Sequence, residues 1–151
     1  MGETTRLTFR KMTTDDAVAV AELDAKSFSE QDSWDSDCFL DELQIPDSVY
    51  IVGEVDGKII ACAGIEFSQG AAEIKTFAVD PEFRRCGVGK KLLSEIFALT
   101  KSHGVTMIFL EVRPSNRAAF KFYAKFGFQI VDRIKNFYVD EDAWIMMTET
   151  S

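Results

Sequence analysis

Two periodicities take turns along this chain, and the points where one yields to the other predict its elements. Leu7-Thr8-Phe9-Arg10 alternates apolar and polar positions, as a half-buried strand does. Thr13, Thr14, Asp15 and Asp16 supply helix-start chemistry, and Val18, Ala21, Ala25 and Phe28 then fall on one helical stripe. Ser29 to Ser36 is polar, with Trp34 inside it. Asp35 or Ser36 caps a second helix, Asp37–Leu43, with Phe39, Leu40 and Leu43 facing inward. Strand Val49–Val55 leads through the hairpin turn Asp56-Gly57 to Lys58–Phe67, which is apolar enough for burial on both faces. Gln69-Gly70 turns again into Ala72–Val79. Val88, Leu92 and Ile96, spaced by four, mark a helix over Val88–Lys101 that Gly104 ends. Met107–Val112 is a strand, Arg117–Phe126 a helix stopped by Gly127, and Phe128–Ile134 and Ala143–Thr148 are closing strands around a polar Lys135–Asp142 connection. The order predicts an α/β fold with a mixed α+β sheet of about seven mostly antiparallel strands and about four helices. The helical crossover from Ala72–Val79 to Met107–Val112 makes that pair parallel.

The crossover begins in the most informative stretch, Val79-Asp80-Pro81-Glu82-Phe83-Arg84-Arg85-Cys86-Gly87-Val88-Gly89-Lys90. Pro81 has no N–H for a ladder and biases Asp80 away from helix, so the strand stops there. Gly87 and Gly89 remove side chains where the backbone turns into the helix. The free N–H groups and positive dipole end of a first helical turn welcome an anion. Arg84, Arg85 and Lys90 add positive charge. The stretch reads as a pyrophosphate-binding turn. Neither GxxxxGK[ST] nor GxGxxG is present, so the common nucleotide loops do not fit.

With 151 residues the chain suits one domain, 1–151, with a full core. Hydrophobic residues at 46% and charged ones at 28% are those of a soluble globular chain. No apolar run approaches a membrane span, and MGETTRLTFRK has no apolar core, so neither a membrane partner nor a secretory signal is expected. Cys38, Cys62 and Cys86 form no CxxC pair, which suggests neither a metal site nor disulfides and points to the cytoplasm. A net charge of −8 argues against nucleic acid as a partner. Between Ser27 and Gly57 there is no Lys or Arg, while nine Asp and Glu side chains fall there. That run is either a solvated surface or a field that attracts a cationic amine.

Arg84-Arg85-Cys86-Gly87-Val88-Gly89 after Val79-Asp80-Pro81 resembles the acetyl-CoA signature of the GNAT N-acetyltransferases. Leu110-Glu111-Val112-Arg113-Pro114-Ser115-Asn116 and Tyr123-Ala124-Lys125-Phe126-Gly127-Phe128 extend the resemblance. With Asn136-Phe137-Tyr138 and Asp142-Ala143-Trp144-Ile145-Met146-Met147, the pattern is similar to the ribosomal-protein alanine N-acetyltransferases within that family. The resemblance implies a GNAT-like fold, acetyl-CoA as co-substrate, no metal, and direct transfer of acetyl to an amine. Monomer and homodimer both remain open.

For the site, the resemblance implies Glu111 as base and Tyr123 as the acid for the departing thiolate. Alternation alone leaves Glu111 open as an outward residue paired with Arg113 or a lysine. Periodicity alone would make Tyr123 a core aromatic. Burial of Glu111 would raise its pKa towards the working range. Phe77, Ala78 and Val79 would offer backbone to the pantetheine arm. Arg84, Arg85, Cys86, Gly87, Val88, Gly89 and Lys90 would hold the pyrophosphate, and Asn116 would bond the arm, cap a helix, or both. Trp34 and Tyr138 are candidate walls of an acceptor groove, each equally readable as local packing. The acceptor is then a peptide N-terminus, with a small amine or polyamine as the alternative, and a non-catalytic acetyl-CoA-binding module as the reading from another class.

Overall fold

The computed structural model describes residues 6–84 and 86–150, so the pyrophosphate role expected of Arg85 lies outside the described residues. In chain order the elements are β1 (Thr8–Lys11), a 3-10 turn (Thr14–Asp16), α1 (Ala17–Ser27), α2 (Ser36–Leu43), β2 (Ser48–Val55), β3 (Lys58–Ser68), β4 (Ala71–Val79), a second 3-10 turn (Pro81–Phe83), α3 (Val88–Ser102), β5 (Met107–Val112), α4 (Arg117–Lys125), β6 (Gln129–Ile134) and β7 (Ala143–Glu149). The strands form one mixed sheet in the order β1-β2-β3-β4-β5-β7-β6. The expected α/β class and the parallel β4–β5 pair are both present. The chain divides into two compact units, Met1–Glu66 with Lys75–Ala98, and Phe67–Ile74 with Leu99–Ser151.

In the first unit, β2 and β3 pair antiparallel through a turn whose residues Asp56 and Gly57 both have positive φ, as such a two-residue turn requires. Positions 60–65 of β3 are all buried, as its apolar run predicts. Val20, Leu23, Phe39, Tyr50, Val52, Cys62 and Ala78 form the core cluster, with Trp34, Leu40 and Leu43 packed against it. One expectation fails on α1. Val18 is 63% exposed, and the buried face is Ala17, Val20, Leu23 and Asp24. The run Ala17-Val18-Ala19-Val20-Ala21 is apolar on every side, so its periodicity does not choose a face. The choice falls to Leu23 and to Asp24, a carboxylate whose hydrogen-bond partners lie inside.

In the second unit, β5 pairs antiparallel with β7 from Met107↔Glu149 to Val112↔Trp144, and β6 closes on the far side of β7. The parallel pairing of β4 with β5 covers Ala71↔Met107 to Glu73↔Phe109. Phe120 of α4 meets Trp144 of β7 edge-on at 5.4 Å between ring centroids, and Tyr123 meets Phe128 at 5.3 Å. Among the described residues no helix is long and apolar enough to cross a membrane.

Candidate active site

The candidate residues fall into two groups, one in each unit. The first is built on the end of β4. Asp80 is 2% exposed and fixes the turn that follows. Its N–H donates to the Ile60 carbonyl at 2.8 Å, its Oδ1 accepts from the Glu82 N–H at 2.9 Å, and its Oδ2 accepts from Lys26 Nζ at 3.4 Å. Burial pushes the Asp80 carboxyl up, but the Glu82 N–H and the Lys26 charge outweigh it, and the group ends below its ordinary range. Arg84 folds back, its Nε donating to the Val79 carbonyl at 3.3 Å. That contact takes one acceptor from the 77–79 backbone expected to face the pantetheine arm.

Beyond Arg84 the surface opens. Cys86 carries an exposed free thiol. Gly87 has φ +79° with no atom within 4 Å of where a Cβ would stand. Its carbonyl accepts the Lys91 N–H at 3.1 Å, the first bond of α3, while Val88 is 1% exposed and roots the helix in the core. Gly89 is half-buried and Lys90 exposed. The start of α3, an uncrowded glycine beside it and the exposed Lys90 suit an anion in charge.

Trp34 lies half-buried in the same unit, its ring 5.2 Å from Phe39 at a tilt and packed on the core cluster. Its N–H donates to Asp24 Oδ2 at 2.7 Å, and Thr76 of β4 donates its hydroxyl to Asp24 Oδ1 at 3.4 Å. Asp24 is 2% exposed, and burial raises its pKa against those two bonds. Part of the acidic run serves structure: Asp35 caps α2, Glu42 accepts from the Tyr50 hydroxyl, and Glu54 pairs with Arg10.

The second group stands at the end of β5. The strand alternates, with Ile108, Leu110 and Val112 buried and Met107, Phe109 and Glu111 half-buried on the other face. Glu111 lies opposite Ile145, and Val112 opposite Trp144. Because Phe120 packs on Trp144, α4 covers the Val112 face and Glu111 points from the other. The two groups assigned to proton transfer therefore approach β5 from opposite faces. Asn116 caps α4, its Oδ1 accepting the Ala119 N–H at 3.1 Å. Tyr123 is 7% exposed between Phe122 and Phe128, and burial raises its pKa, so it keeps its proton at neutral pH. Tyr138 lies under the Arg113 guanidinium, 4.1 Å from ring centroid to Cζ.

The model of the acetyltransferase (GNAT) family matches residues 17–128. The chain belongs to the GNAT acetyltransferase family. It is an acyltransferase. A Bacillus subtilis (strain 168) relative, provisionally named a ribosomal protein bS18-alanine N-acetyltransferase, is 37% identical over 94% of this chain and 95% of its own. The N-alpha-acetyltransferase RimI of Mycobacterium tuberculosis (strain ATCC 25618 / H37Rv) is 33% identical over 90% of this chain and 87% of its own. The crystal structure of the ribosomal-protein-S18-alanine N-acetyltransferase from Escherichia coli superposes with a TM-score of 0.86 at 29% identity, covering 96% of this chain and 94% of that one.

Asp24, Asp80 and Glu141 went unsingled by sequence reasoning. Asp80 was legible only as a strand stop. Asp24 had a signal, an acid on the face that Leu23 selects. Glu141 sits in a polar connection, where nothing in the sequence distinguishes it from Asp140 or Asp142.

Proposed function

We propose that this chain, acting as one domain in the cytoplasm, transfers acetyl from acetyl-CoA to the α-amino group of a protein N-terminus of the ribosomal protein bS18 alanine type. The likeness to alanine N-acetyltransferases over nearly the whole chain carries this reading. Bound acetyl-CoA supplies an activated acyl carbon and a thiol leaving group. The turn from Arg84 to Lys90 binds its pyrophosphate through main-chain N–H groups and positive charge, and the backbone of Phe77, Ala78 and Val79, with Asn116, orients the arm.

Glu111 takes a proton from the acceptor ammonium, directly or through water, and the neutral amine then attacks the thioester carbonyl and expels the thiolate. A protein α-amino group has a pKa of about 7.7–8.0 against about 10.4 for lysine, so a carboxylate suffices for the former at neutral pH. Tyr123 donates a hydrogen bond to the sulfur as the thiolate leaves. Its raised pKa keeps the donor proton in place and also resists full transfer, so stabilisation of developing charge is its main contribution. Trp34 and Tyr138 are the candidate acceptor walls.

The test is acetyl-CoA consumption with peptides bearing free N-termini, an Nα-blocked lysine peptide and small amines. Turnover confined to free Ala- or Ser-led termini is expected; turnover on amines or lysine alone would sink the substrate assignment. Glu111→Gln should lower kcat/KM by about 10²-fold at pH 7, with the deficit shrinking once the amine is neutral near pH 9. Tyr123→Phe should cost roughly 10-fold or more. Unchanged turnover in both variants would remove them from the chemistry and favour a binding module.

A further inference from the structure

Loop 135–142, between β6 and β7, is held by a cluster that the proposed chemistry leaves unused. Arg113 follows β5 directly, two residues after Glu111, and Pro114 biases it to extended backbone. Its Nη1 donates to Asp140 Oδ1 at 2.6 Å and to Glu141 Oε1 at 3.1 Å. Glu141 also accepts from the Ser115 hydroxyl at 2.5 Å and from the Ser115 N–H at 3.3 Å. The Glu141 carbonyl takes the Tyr138 N–H at 3.0 Å. One residue thus joins the β5–α4 connection to the loop and spans the aromatic ring with both its carboxylate and its backbone. The guanidinium it bonds lies over the Tyr138 ring, its Cζ 4.1 Å from the centroid.

We infer that Glu141 is a positioning residue: through Arg113 and Ser115 it locks loop 135–142 to the Glu111 end of β5 and so sets Tyr138 as the acceptor wall. The inference rests on the acceptor reading above. A wall that aligns the incoming amine acts on acceptor binding and leaves acetyl-CoA binding alone. The Glu141 carboxylate stays ionised at neutral pH: the Ser115 hydroxyl lowers its pKa more than burial raises it, and Arg113 adds to the lowering.

Glu141→Ala should raise the acceptor-peptide KM about tenfold while kcat and the acetyl-CoA KM change less than about twofold. Glu141→Gln, which can still accept from Ser115, should recover about half of that loss on a logarithmic scale. Amide hydrogen exchange across 135–142 should quicken in Glu141→Ala with no substrate present, and a smaller quickening should appear in Glu141→Gln. An unchanged acceptor KM, or a loss confined to kcat, overturns the inference. So does unchanged loop exchange. If the unsubstituted enzyme acetylates no peptide N-terminus, the acceptor reading fails instead, and the exchange experiment still decides whether Glu141 holds the loop.

Discussion

Two polar loops, one in each unit, are fastened by opposite means. Residues 29–35 hang from Asp24, a carboxylate 2% exposed that takes the Trp34 N–H, and from the packing of the Trp34 ring on Phe39. Residues 135–142 hang from ion pairs near the surface, where Asp140 is 62% exposed and Glu141 23%. A buried carboxylate strengthens its bonds by excluding water, and its removal strands the partners it leaves behind. A partly exposed cluster keeps water as a substitute partner and contributes geometry more than stability. The first loop is therefore part of the fold, and the second is adjustable without unfolding anything.

The sharpest break of that contrast is Asp24→Ala. It orphans the Trp34 N–H and leaves a small void, so unfolding in urea should show a loss of about 2–4 kcal/mol. Asp140→Ala should leave the urea midpoint within experimental error. Equal losses in the two variants would erase the distinction between the loops.

Acid and base should act on the loops with opposite sign. The folded pKa of Asp24 is raised by burial, so its contribution is complete below the unfolded carboxyl value of about 4 and is lost as pH rises through the folded value. Asp140 and Glu141 are lowered, by Arg113 and by Ser115 respectively, so their contributions are present above about pH 4 and are lost as pH falls. Asp24→Asn should flatten the decline of stability above pH 4, and Glu141→Gln should soften the acid limb. Asp16, held down at about 2 by Arg10, also shapes that limb, so differences from the unsubstituted protein are the quantity to read. Asp24→Asn with an unaltered profile would mean that the buried carboxyl is not differentially protonated.

The smallest expected effect is of salt. Raising NaCl from 0.05 to 1 M, which shortens the screening length from more than 10 Å to about 3 Å, should quicken amide exchange modestly in 135–142 and not in 29–35. Matching responses in both loops would show that they share one kind of anchor.

Much of the fold was legible from pattern. β5 begins and ends where its apolar alternation does, Asp35 caps α2, and Pro81 follows the strand end at Val79. The turn into α3 was legible because glycine conformations are local properties, and Gly87 has a positive φ. Sequence by itself determined the element order, the turn chemistry and the family, since each rests on neighbours within a few positions. Only tertiary structure decided that Val18 faces outward, that Trp34 packs on Phe39, and that Glu141 rather than Asp142 reaches Ser115. It also set Glu111 on the face of β5 opposite the one that α4 covers. Those outcomes depend on partners distant in sequence, and a carboxylate's role is fixed by which donors reach it once the chain has packed.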